Sequence, residues 1–165
     1  MQNRRRLLTQ GALAAGALIA PTLVSAQEKA DGKAVAERFA ASLNAHDINA
    51  FGALFADTYV NHQTSAAAPV PKEKTAKEAT VAYFAARLAG IPNLAVTIEV
   101  LVANGDSVAA SFVYTGKHEG PYFGVAPTGR ELKFTSCDIF RVANGQIVEH
   151  WGMGDIAGIL AQLKA

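Results

Sequence analysis

The feature that most constrains the fold is a change of hydrophobic period near residue 90. Before it, apolar residues recur at helical spacing; after it they fall on every second position. Leu94, Val96, Ile98 and Val100 share one strand phase, and Val108, Ala110, Phe112 and Tyr114 share a second. Leu132, Phe134, Ser136, Asp138 and Phe140 form a third, and Asn104-Gly105 and Asn144-Gly145 supply hairpin signals. Upstream, the spacing predicts a helix over 28–44, a short one over 48–55 capped by Asp47, and a longer one over 72–88 that Gly90 ends. Tyr59 to His62 reads as a short extended piece, residues 65–71 as a proline-bearing loop, and residues 156–163 as a last helix. Helices first and strands after predict an α+β domain. About three N-terminal helices would lie over a cone-shaped, curved antiparallel sheet enclosing a pocket, followed by a short C-terminal helix.

The N-terminus has a different grammar. Arg4, Arg5 and Arg6 with Leu7 and Leu8 precede an apolar run over residues 11–24, and Val24-Ser25-Ala26 offers the small residues of a cleavage site. The expectation is an export signal over 1–26 of the twin-arginine type, with Gln27 opening a mature domain over 27–165. Leu7 and Thr9 depart from the twin-arginine consensus, so the general secretory route stays open. Removing 1–26 takes three arginines and no acids from 15 basic and 14 acidic residues, which leaves a formal charge of −2. That balance lacks the basic face of a nucleic-acid binder, and the apolar run is too short for a stable membrane anchor. The expected location is therefore periplasmic or secreted. The single Cys137 excludes an internal disulfide, so packing alone must hold the domain.

A series of short motifs runs along the second half: His118-Glu119-Gly120, Pro127-Thr128-Gly129-Arg130, Asp138-Ile139-Phe140-Arg141, Asn144-Gly145-Gln146-Ile147, Glu149-His150-Trp151, Asp155 and Gln162-Leu163. Together with Phe51, Leu54-Phe55 and Tyr59-Val60-Asn61-His62, this order and spacing resembles the SnoaL-like polyketide cyclase (ester cyclase) branch of the nuclear transport factor 2-like superfamily. Arg130 stands for the usual Lys, Asn144 and Gln146 for Asp and Lys, and Lys164 for a final Gly. The resemblance implies a cone-shaped barrel with a deep apolar pocket and a homodimer formed across the sheet. It also implies an acidic residue acting as acid/base in an intramolecular aldol closure, without metal or cofactor. By position, Asp155 best matches that acid. The superfamily also includes isomerases, epoxide hydrolases and plain binding proteins, so the fold alone does not fix the chemistry.

Read from the residues themselves, Asp138 shares its strand phase with Phe134 and Phe140. It is either a proton shuttle in the cavity or a structural carboxylate paired with an arginine or backbone amides. Asp155 is either the family acid or an N-cap for the last helix. His118 and His62 can each polarise a carbonyl oxygen or simply hold structure. His150 and Trp151 are adjacent in a strand, so one faces the cavity and the other the opposite side. Asn61, Phe112, Tyr114, Phe134, Phe140, His150 and Trp151 are the candidate ligand-binding residues, with Tyr122 and Phe123 extending the apolar wall. The histidines lack zinc-motif spacing, and Gly152-Met153-Gly154 lacks the strand–loop–helix setting of a phosphate loop. No metal or cofactor is expected. Two functions remain: a cofactor-independent lyase or isomerase using Asp155 or Asp138, or a non-catalytic protein that binds a small apolar molecule or dimerises.

Overall fold

The computed structural model describes residues 32–63 and 72–165. The expected export signal and the whole of the expected 65–71 loop lie outside the described residues. Nine elements follow in order: α1 (Gly32–Asn44), α2 (Ile48–Ala53), β1 (Phe55–Asn61), α3 (Ala76–Gly90), β2 (Ala95–Asn104), β3 (Ser107–Lys117), β4 (Glu131–Ala143), β5 (Gln146–Gly154) and α4 (Ile156–Lys164). The sheet order is β1-β5-β4-β3-β2. It is curled and unclosed, with α1 packed across β2, β3 and β4. This is the α+β cone architecture the period change predicts.

Local chemistry explains the boundaries. Asp47 caps α2 by accepting from the amides of Asn49 and Ala50, as its position predicts. α3 begins at Ala76 rather than at residue 72, because Thr75 and Glu78 form a reciprocal capping box. The second hairpin turns on Asn144 (φ 51°) and Gly145 (φ 72°), both left-handed as that turn type requires. In the first hairpin Asn104 instead pairs with Ser107 as the last rung, leaving Gly105 and Asp106 at the tip.

Two differences from the pattern have physical causes. A register shift between Ile98 and Val100 turns Val100 outward, so the phase shared by Leu94 and Val96 does not reach it. The extended piece at Tyr59 is a full strand from Phe55, and it pairs parallel to β5. Periodicity over so few residues could not reveal that partner, since it is supplied from the far end of the chain.

The core is centred on Phe39 of α1. Its ring lies 5.1 Å from Phe51, 5.4 Å from Phe84, 5.1 Å from Phe112 and 5.3 Å from Phe140. Burying each such side chain contributes about 1.5–3 kcal/mol. Phe112 and Phe140, expected on a pocket wall, are fully buried against this helix.

Candidate functional site

A polar chain runs through the otherwise apolar inner face of the sheet. Asp138 lies on β4 between Ala110 of β3 and Gly152 of β5, and it is buried together with His150. His150 Nε2 is 2.8 Å from Asp138 Oδ1, and Ser136 Oγ donates to Asp138 Oδ2 at 2.5 Å. On the other side of the imidazole, the Tyr59 hydroxyl is 3.1 Å from His150 Nδ1. Burial lifts the Tyr59 hydroxyl to about 12, so it keeps its proton and can donate to Nδ1. Thr80 Oγ1 donates to the Tyr59 oxygen at 3.4 Å. The chain is therefore directional: Thr80 to Tyr59, Tyr59 to His150 Nδ1, His150 Nε2 to Asp138. This order leaves the carboxylate as the acceptor of two hydrogen bonds.

Strand geometry makes the room for it. A Cβ built on Gly152 would stand 2.6 Å from both Asp138 Oδ1 and His150 Nε2. The Asp138–His150 contact occupies the space a side chain at position 152 would need. That glycine is read from sequence only as a failed phosphate loop.

A second polar cluster adjoins the first. Arg87 of α3 is buried, with its Cζ 4.7 Å from the ring centroids of Phe84 and Tyr114, 5.0 Å from Tyr83 and 5.2 Å from Phe134. Its Nε donates to the Tyr122 hydroxyl and its Nη2 to the Tyr83 hydroxyl, both at 3.1 Å. Ser136 Oγ lies 3.4 Å from the Tyr114 hydroxyl, which joins the two clusters. Burial raises the Tyr114 and Tyr122 hydroxyls above their ordinary range, so both are neutral.

The other sequence candidates occupy different places. Asp155 is exposed and caps α4 by accepting from the Gly158 amide at 2.8 Å. His62 lies at the surface, 2.8 Å from Glu149 and stacked on Trp151 with centroids 4.4 Å apart. His150 and Trp151 do face opposite sides, with His150 inside. Asn61 turns its Oδ1 onto the Gln63 amide. His118 is fully buried; its Nδ1 accepts from the Thr128 amide at 3.2 Å, while its Nε2 has no partner among the described residues. Tyr114 and Phe134 stack with rings 5.1 Å apart. The fold thus brings Asp138 to His150, and neither Asp155 nor His62 to them. Arg87 and Thr80 escape the sequence reading, and Tyr59 enters it as a strand and motif residue rather than as part of a site. A cation within the apolar stripe of Thr80, Tyr83, Phe84 and Arg87 was the available signal. Among the described residues, no group of three or more His, Cys, Asp or Glu side chains gathers to hold a metal.

The model of the SnoaL-like polyketide cyclase family matches residues 33–163. No curated protein sequence matches. Among solved structures, IdmH of Streptomyces antibioticus, a candidate polyketide cyclase, is 30% identical; the match covers 81% of this chain and 98% of that one, with a TM-score of 0.68. AclR of Streptomyces galilaeus, a candidate hydroxylase, is 23% identical over 80% of each chain with a TM-score of 0.69. A SnoaL-like protein of Jannaschia is 22% identical over 81% of this chain and 91% of its own, with a TM-score of 0.65. The last two share the fold.

Proposed function

This chain belongs to the SnoaL-like polyketide cyclase family, and we propose that within it Asp138 acts as acid/base on a small carbonyl compound. The family supports a cofactor-independent cyclase or isomerase kind of function. The observation that carries the choice of residue is the buried Asp138–His150 contact at 2.8 Å, backed by Ser136 and Tyr59. Asp155, the positional match, is exposed and engaged as a helix cap.

In this reading Asp138 takes a proton from the carbon next to a carbonyl. The C–H bonding pair forms a carbon–carbon double bond and the carbonyl π pair moves onto oxygen, giving an enolate. The enolate carbon then bonds to a second carbonyl carbon of the same molecule, and that oxygen receives the proton back from Asp138. Atoms balance, so the product is an isomer. His150 is a positioning residue: it holds the carboxylate, while Tyr59 fixes its tautomer.

Proton abstraction can be read without the natural substrate. Mass spectrometry of 1-tetralone in heavy water should show the protein accelerating exchange next to the carbonyl. Asp138→Asn should lower the rate by about 10²-fold or more. Undiminished exchange in that variant would sink the assignment. A protein that binds ketones and never exchanges them would favour the ligand-binding alternative.

We also propose export and dimerisation. The Arg4-Arg5-Arg6 cluster and Val24-Ser25-Ala26 support a cleaved signal, tested by mapping the N-terminus of protein recovered from the periplasm. The outer sheet face supports the dimer. Val102, Ala109, Ile139 and Trp151 form one cross-strand row, and Val100, Ser111, Cys137 and Met153 the next. Val100, Val102, Ile139 and Met153 are exposed, Met153 at 78%, which makes this the apolar patch to be covered by a second copy. Sedimentation should give twice the monomer mass, and Ile139→Glu should halve it.

A further inference from the structure

Arg87 presents a charge problem that the proposed proton transfer does not use. The guanidinium is buried, stays protonated in any protein environment, and carries five N–H donors. Its hydrogen-bonded partners Tyr122 and Tyr83 and the ring faces around it are uncharged acceptors. Among the described residues the buried acid is Asp138, whose two oxygens are taken by His150 and Ser136. Arg87 makes no ion pair with any described carboxylate. Four aromatic faces offset part of its desolvation. A buried ion loses several kcal/mol on leaving water and is ordinarily met by an opposite charge.

A second deficit of the same sign lies in the segment that partners Arg87. His118 Nδ1 accepts from the Thr128 amide at 3.2 Å and lies 2.9 Å from the Thr128 hydroxyl, which can donate to it as well; with Nδ1 an acceptor, the hydrogen sits on Nε2. That Nε2 is a buried donor without an acceptor among the described residues. The segment is held against the end of α3, where the amides of Glu119 and Gly120 both donate to the Gly90 carbonyl. So the same stretch contributes Tyr122 to the guanidinium and an unused imidazole donor. The imidazole lacks an acceptor, and the guanidinium, though hydrogen-bonded, lacks a negative charge.

The same stretch closes on itself in a tight turn. Tyr122 and Val125 exchange backbone hydrogen bonds around a tight turn, with Phe123 at φ 49° and Gly124 at φ 72°. A left-handed backbone is unfavourable for phenylalanine and persists only where packing imposes it. Phe123 packs edge-on against Tyr83, whose hydroxyl holds Arg87. This turn therefore carries the Tyr122 hydroxyl that meets the guanidinium and the ring that packs on its other hydroxyl partner.

We propose that Arg87 is an anion-recognition group, and that the ligand is an aromatic or polycyclic compound bearing a carboxylate or a comparably acidic oxygen. The anion takes the place of the Tyr122 hydroxyl, while the rings of Tyr83, Tyr114 and Phe134 receive the flat apolar body. This rests on the binding site proposed above, and it is independent of the reaction there. The acid replaces the uncharged ligand that composition alone would favour.

The experiment is calorimetric titration of the full chain with 2-naphthoate and with its methyl ester, which match in shape and differ in charge. The acid should bind at least about tenfold tighter, and Arg87→Gln should abolish the preference. Asp138→Asn should keep the preference while losing ketone exchange, so the two readings fail separately. Equal affinities, tighter binding of the ester, binding of neither probe at millimolar concentration, or a preference that survives Arg87→Gln would each overturn the proposal. If Arg87→Gln does not fold, the acid-against-ester comparison on the unaltered protein decides alone.

Discussion

Strand β5 carries two imidazole–carboxylate contacts back to back, and they differ in burial rather than in distance. His150 meets Asp138 on the inner face, and the next residue along, Glu149, meets His62 on the outer side; both contacts measure 2.8 Å. The inner side chains are 4% and 8% exposed, the outer ones 36% and 25%. Water and salt screen the outer pair, which also shares its carboxylate with Arg141 at 3.1 Å. The inner pair sits in a medium that strengthens every interaction and penalises any group left unmatched. Distance is the same in the two cases. Burial decides which pair is shielded from water and salt.

The largest test of that contrast removes one carboxylate at a time. Asp138→Ala strands the donors of His150 and Ser136 in the core and should cost about 3–5 kcal/mol in urea unfolding. Glu149→Ala, by comparison, should cost under about 1 kcal/mol. Similar losses from the two variants would break the comparison.

Next in size is Gly152→Ala. Its methyl group would overlap Asp138 Oδ1 and His150 Nε2, neither of which is free to swing away. We expect a loss of about 1–3 kcal/mol by thermal melting, with ketone exchange falling alongside. Normal exchange in a stable Gly152→Ala protein would show that the contact has no part in the reaction. Asp155→Ala should cost about 1 kcal/mol through the lost cap and leave exchange intact. If exchange disappears instead, the acid/base is Asp155 and the inner pair is structural. The smallest effect belongs to His62→Ala, within about 1 kcal/mol. The contribution His62 makes should shrink as salt is raised from 0.05 to about 0.5 M, whereas that of Asp138 should not.

Much of the fold was legible because it is written in local periods. The alternation through Val108, Ala110, Phe112 and Tyr114 and the Asn144-Gly145 turn need only neighbouring residues to specify them. The parallel pairing of β1 with β5 was not, since its two strands are separated by most of the domain. At the site, strand phase aimed Asp138 inward and set His150 opposite to Trp151. It could not say that Asp138 and His150 would meet, because that depends on the β4–β5 register that places Gly152 beside Asp138. Motif position drew attention to Asp155, while its proximity to the Gly158 amide gave it to the helix.

The sequence by itself determined the class of fold, the family and the inward faces of β3 and β4, since these follow from periodicity and short ordered motifs. Only the tertiary structure decided which histidine meets which carboxylate and which buried cation stands apart from every described carboxylate. Those outcomes depend on desolvation, and desolvation is a property of everything packed around a residue.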